Sequence, residues 1–449
     1  MINLQNKSII ILLIIIVCLL NINTIPTKEL IENKIENNYN KILSKASIEI
    51  IDNVTILYLN GSYYEMGYQH GSLLKEQVRQ NYRAIMHFAE QKNVSIDKLV
   101  DIWNIMKNYI PQEYLDETQG IADGSDLPSD YINTANMLQI VIGTKLYACS
   151  GFSIWGASTV DGNLIHGRSF DYPSWIQDPI TGKYVQENQI LLIRKPDNGY
   201  ASMAPSLAGL YGGGGINENG VVFGSLGSWS NDYTYYGTPM RIIVPMLLDK
   251  ATNAEEAINI LLSNRTIGYN AIISDANKNI GFVVEQTKNK TYVGTWNNSV
   301  ESNYPFYSIK DVVRRSNLFI NPSTALTQRQ IYNPSSLLLM LLGLNDYYPM
   351  FIQYEALSRG IEKRYGNLDL NSSMDVLREA YSGHNHIIIL FLHKINLLDE
   401  TAKHYGYLEA INQWVLYPKT GDMLISFADA NKRAWENPVH YFNFYDLLK

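Results

Sequence analysis

The hydrophobic pattern of the chain changes period at Cys149. From Tyr63 to about Ile142 apolar residues recur at helical spacing. Met66, His70, Leu73 and Leu74 open one amphipathic segment, Ile96 to Tyr109 forms a second and Tyr131 to Val141 a third, with Pro111 and Pro128 as breaks. From Cys149 onward strands take over. Gly151 to Ala157 and Asn163 to Ser169 flank Val160-Asp161-Gly162, a hairpin-turn signature. Strands are also predicted at Ile48 to Leu59 (one or two), Gln189 to Arg194, Val221 to Ser225, Ala271 to Ser274 and Ile280 to Glu285, with helices at Pro239 to Lys250 and Ala254 to Leu262. Residues 310–405 read as mainly helical, and a last hairpin joins Ala410 to Tyr417 with Met423 to Phe427. Strands interrupted by paired helices imply an α+β chain with helices packed outside its sheets.

Cys149 is the one cysteine outside the apolar N-terminus, where Cys18 lies. A lone thiol forms no internal disulfide, so it is either a small apolar filler or a nucleophile. A thiol acts near neutrality when its pKa is lowered or a base adjoins it. Arg168 and Asp171 follow the hairpin. A returning second strand brings both charges back beside the thiol, although an isolated Arg-x-x-Asp is by default a surface pair.

The segment from Cys149 to Asp171 resembles the nucleophile region of the isopenicillin N acyltransferase-like hydrolases, a family of autoproteolytic N-terminal nucleophile enzymes. Cys149-Ser150, Trp155-Gly156, Asp161-Gly162 and Gly167-Arg168-Ser169-Phe170-Asp171 carry the pattern in order. Glu65-Met66-Gly67-Tyr68-Gln69-His70-Gly71, Gly215-Ile216-Asn217-Glu218-Asn219-Gly220, and Asn270 with Asp275 and Glu285 resemble three further family segments. The resemblance implies a four-layer α/β/β/α sandwich of the N-terminal nucleophile hydrolase type. It implies Cys149 as nucleophile, Ala148-Cys149 as the self-cleavage bond, Arg168 and Asp171 as the charges beside it, and Asn270 as an oxyanion donor. The backbone N–H of Gly227 replaces a second side-chain donor of some relatives, and no residue matches their distal arginine. Residues 26–148 would form a largely helical first chain and 149–449 a nucleophile-bearing second chain, which stay associated as one unit.

Met1 to Lys7 carries one positive charge and precedes twelve apolar residues, Ile9 to Leu20. That is short for a membrane span and fits a secretory signal ending near residue 25, with an uncleaved anchor as the alternative and the sole membrane contact. Acceptor sequons at Asn53, Asn60, Asn93, Asn264, Asn289, Asn297 and Asn371 agree with secretion or an endolysosomal lumen. Net charge is −7 without a basic stripe, so nucleic acid is not an expected partner.

His166 reads as a structural histidine. His384-Asn385-His386 lacks companion ligands for a metal, and neither metal nor cofactor is expected. Gly212 to Gly215 is no phosphate loop; it permits a sharp turn or close backbone approach. Tyr172, Trp175, Tyr211 and Trp229 are candidates for an acyl pocket or for plain core. The expected activity is hydrolysis of a linear N-acyl amide through acyl-Cys149. The alternatives are acyl transfer from a thioester or amide donor to an amine, and a non-catalytic ligand-binding glycoprotein of the same fold.

Overall fold

The computed structural model describes residues 36–142, 149–329, 331–388, 391 and 409–449. Ile9 to Leu20 and Ala148 lie outside these residues, as does part of the 310–405 region. Helices of ten residues or more are labelled α1 (Tyr63–Leu73), α2 (Lys75–Gln91), α3 (Ile96–Met106), α4 (Gln112–Ser125), α5 (Ser129–Ile142), α6 (Met240–Lys250), α7 (Ala254–Ser263), α8 (Tyr348–Lys363) and α9 (Leu370–Ser382).

Nine strands make one sheet: β1 (Ser47–Ile51), β2 (Val54–Gly61), β5 (Gln189–Pro196), β6 (Ser202–Leu207), β7 (Gly214–Asn217), β8 (Val221–Gly227), β9 (Tyr269–Asp275), β10 (Ile280–Gln286) and β11 (Thr291–Gly294), in that spatial order. Six make the other, in the order β12 (Val312–Arg315), β3 (Ser150–Ile154), β4 (Ile165–Asp171), β13 (Ala410–Tyr417), β14 (Asp422–Phe427) and β15 (His440–Asn443). Every pair is antiparallel except β2 and β5.

The two sheets pack face to face. Ile56, Ile193 and Val222 of the larger meet Trp414, Leu416 and Ile425 of the smaller. Helices α1, α6 and α7 cover the outer face of the nine-stranded sheet, and α8 and α9 that of the six-stranded one. The layer order is α/β/β/α, the architecture implied by the resemblance.

Local chemistry explains the elements. Val78, Tyr82, Ile85 and Ala89 give α2 a single buried stripe. Ser62 caps α1 and Glu65 answers it, a reciprocal capping box. Gly67 and Gly71 of α1 face Gly120 and Gly124 of α4 so closely that a Cβ on any of the four would strike the opposing backbone. The Glu-x-Gly-x-x-x-Gly segment is therefore a helix-packing device. Arg194 on β5 then ties this helical pair to the sheet, pairing with Glu117 of α4 at 2.7 Å and Asp249 of α6 at 2.6 Å, all three buried.

Several strands depart from the sequence reading. The Cys149 hairpin forms, but a ten-residue connection from Trp155 to Leu164, with a 3-10 turn at Gly156–Ser158, replaces a tight turn. Val312–Arg315 is a strand within a region expected to be helical. Its alternation is hidden because Arg314 and Arg315 are buried, Arg315 against Glu285 and Glu301. Strands β6 and β7 escaped notice because Pro205 and a glycine run interrupt their apolar character.

Candidate active site

Cys149 immediately precedes β3, and the register pairs Ser150 with Ser169 and Gly151 with Arg168. The thiol therefore lies at the end of the hairpin where β4 finishes. Its Sγ is buried, 3.9 Å from Arg168 Nη2 and 3.8 Å from the backbone oxygen of Asp171. Burial pushes the thiol up to about 11, against the pull of the Arg168 guanidinium. In the uncut chain Cys149 is thus a protonated thiol with a guanidinium beside it to receive its anion.

Arg168 is buried in the space between the sheets. Its Nη2 and Nε donate to Ser225 O at 2.7 and 3.2 Å, and the guanidinium stacks on Phe170 at 4.9 Å. A Cβ at Gly213 would collide with that guanidinium, and Gly213 O accepts from both Ser225 N–H and Ser225 Oγ. The glycine run allows backbone to close over the arginine rather than over a substrate.

Asp171 sits three residues on, so its side chain leaves the opposite face of β4. Its carboxyl bonds Tyr381 of α9 and Ser169, and burial pushes it up to about 8 against those bonds and Arg168. The structure brings Arg168 to the sulfur by its side chain and Asp171 by its carbonyl.

Asn270 is placed differently from expectation. Its Nδ2 donates to Ser316 O at 2.7 Å and Leu318 O at 2.9 Å, while Oδ1 has no partner among the described residues. With its amide engaged on two carbonyls, Asn270 serves an oxyanion only if those bonds open. It and Glu285, which accepts from Arg315, Ile320 N–H and Thr324, together hold the chain at 315–324. Asn217 has a comparable duty, bonding Leu248 O and Ala251 O at the α6–α7 junction.

The remaining candidates are distributed as follows. His166 is buried, bonds Ser274 through Nδ1 at 2.8 Å and stacks on Trp414; burial and Arg168 depress it to about 3, which keeps it neutral. His384 bonds Ser382, and His386 bonds Glu355. Among the described residues no group of three His, Cys, Asp or Glu could hold a metal. Tyr172, Trp175, Tyr211 and Trp229 do not line the Cys149 cleft; Trp175 lines a separate one with Tyr184 and Arg433. The aromatic residues at the thiol are Phe170 and Tyr269. A second guanidinium, Arg241, enters the same narrow cleft. No sequence signal singled it out, since Arg241 lies 92 residues beyond Cys149 (241 − 149) in an ordinary helix start. All seven sequon asparagines are exposed.

Residues 161–338 match the model of the acyl-coenzyme A:6-aminopenicillanic acid acyl-transferase family. The match begins downstream of Cys149 and takes in Arg168, Asp171, Gly227 and Asn270. Protein dcd1B of Dictyostelium discoideum is 24% identical over 237 residues, 46% of this chain and 45% of that protein. An uncharacterized protein of Archaeoglobus fulgidus is 27% identical over 185 residues, 35% of this chain and 30% of the relative. The chain thus spans less than half the length of the curated relatives it matches. Penicillin V acylase from Agrobacterium tumefaciens superposes with a TM-score of 0.37 at 14% identity, over 66% of this chain and 86% of its own. A variant of conjugated bile acid hydrolase from Clostridium perfringens does so at 0.35 and 15%, over 66% and 97%.

Proposed function

We propose that this chain is an autoproteolytic amidohydrolase that cleaves a linear N-acyl amide through an acyl-Cys149 intermediate. The observation that carries the reading is the Arg168 guanidinium, held 3.9 Å from a buried sulfur in a cleft that Gly227 also lines. A filler cysteine has no use for a buried cation held against it.

Maturation begins with attack of Cys149 Sγ on the Ala148 carbonyl. The Cys149 nitrogen leaves as the thioester forms and takes up the thiol proton. Water hydrolyses the thioester, which frees the Ala148 carboxylate and restores the thiol beside a new α-amine. That amine then accepts the thiol proton in each turnover. The thiolate attacks the substrate carbonyl, the leaving amine departs protonated, and water releases the acid. Arg168 favours the thiolate. Gly227, which lines the cleft, offers its backbone N–H to the developing oxyanion. Asp171 holds the liberated amine once that amine reaches its carboxyl. The two chains, 26–148 and 149–449, stay together through buried contacts such as Glu117 with Arg194.

The compartment proposed is a secretory or endolysosomal lumen, with Ile9 to Leu20 as the signal. The exposure of all seven sequons supports it. The matched family is named for acyl transfer, which favours a second reading in which an amine replaces water as acceptor.

Intact mass after mixing the protein with N-octanoylglycinamide tests the proposal. An octanoyl adduct on the peptide starting at Cys149 is expected. Added hydroxylamine separates the two readings, since a transferase gives the hydroxamate and a hydrolase gives mainly octanoic acid. Undiminished turnover in Cys149→Ala would end the proposal.

A further inference from the structure

The proposed chemistry gives Arg241 nothing to do. It is the second residue of α6, 8% exposed, and shares the cleft with Cys149 and Arg168. One hydrogen bond holds it, from Nη1 to Tyr211 O at 2.6 Å. Its other nitrogens meet no acceptor among the described residues. No carboxylate pairs with it among those residues, and none lines the cleft. The first residue of α6, Met240, lines the same space, and no side chain caps that helix. Its first N–H groups and the positive end of its dipole therefore add to the guanidinium. Asp171 turns its carboxyl to Tyr381 on the other face of the sheet.

Arg168 is already committed to Ser225 O and the thiol. Arg241 is a buried cation with no counterion among the described residues, and such a charge is retained where a partner of opposite sign arrives.

We propose that Arg241 is the specificity residue of this site, holding an anionic group of the amide substrate beside the free N-terminus of α6. The inference rests on the amidase reading. Thiol and guanidinium line one cleft, so the anion lies close to the scissile carbonyl. A carboxylate on the amine half, as in an N-acyl amino acid, meets that requirement.

The test compares N-octanoylglycine with N-octanoylglycinamide, which differ in one charge, on the processed protein. The glycine amide acid is expected to be preferred by about tenfold or more in kcat/KM, the usual effect of a charge-assisted hydrogen bond. In Arg241→Gln that ratio should collapse toward one through a rise in KM for N-octanoylglycine, and Arg241→Lys should recover part of it. A ratio near one in the wild-type protein, or a ratio that survives Arg241→Gln in folded protein, overturns the proposal. Inorganic phosphate that inhibits both amides alike also contradicts it, since a free-anion site would then explain the guanidinium. If neither amide is hydrolysed and no acyl-enzyme forms, the amidase reading fails instead. Calorimetric binding of the two compounds then decides Arg241 alone: tighter binding of N-octanoylglycine, lost in Arg241→Gln, upholds it, and equal binding rejects it.

Discussion

The hydroxyl of Tyr381 lies 3.0 and 2.8 Å from the two carboxyl oxygens of Asp171, across 210 residues of sequence. The same hydroxyl is 3.1 Å from Ser150 Oγ, next to the nucleophile. Helix α9 thereby fixes the end of the Cys149 hairpin from outside the six-stranded sheet.

That burial gives Asp171 a pH signature in the uncut chain. The folded carboxyl is pushed up to about 8 from an ordinary 3.8, so between those values the folded chain binds a proton that the unfolded chain releases. Its contribution to stability is full below about 3.8 and is lost as pH rises through about 8. In a Cys149→Ala background, Asp171→Asn should flatten the fall in urea midpoint between pH 4 and 8, since an amide does not titrate. Equal slopes with and without Asp171 would contradict the assignment.

Arg168→Met removes the cation at 3.9 Å from the sulfur. An opposite charge at such range commonly lowers a pKa by about 1–3 units. The thiol should rise further, and self-cleavage followed on a gel should slow by about tenfold or more. Thermal melting of the same sample separates this from simple unfolding. Cleavage at the normal rate in folded protein would remove Arg168 from the site.

Asn270→Ala strands the carbonyls of Ser316 and Leu318 in the interior. Two orphaned acceptors should lower stability by about 2–4 kcal/mol in denaturant titration. Full turnover per folded molecule would place Asn270 with the framework; a selective loss of kcat would show that its amide turns to the oxyanion during catalysis.

Arg194→Met leaves Glu117 and Asp249 buried and facing each other without a cation. Breaking such a group typically costs about 3–5 kcal/mol. Glu117 precedes Cys149 and Arg194 and Asp249 follow it, so the mature pair should also separate on gel filtration. Partial rescue at low pH, where the carboxyls protonate, is expected because burial already raises both.

The nucleophile hairpin was legible because its residues are local: strand alternation and a glycine turn place Arg168 and Asp171 near Cys149 from spacing alone. What spacing could not supply was side-chain direction. Arg168 and Asp171 sit on opposite faces of β4, so only one aims its charge at the sulfur. Arg241 was invisible, since its meeting with Cys149 depends on how α6 packs on the larger sheet. Asn270 was read from a motif whose amide, once the fold forms, bonds the chain at 316 and 318. The short strands β7 and β12 were hidden by glycine and by buried arginines.

N-terminal sequencing and intact mass of the purified, active protein test the central claim most directly. The account predicts two chains, the second starting at Cys149 and 301 residues long (449 − 149 + 1), with a single uncut chain in Cys149→Ala. An active preparation that is one uncut polypeptide, or one cut equally well in Cys149→Ala, would contradict it.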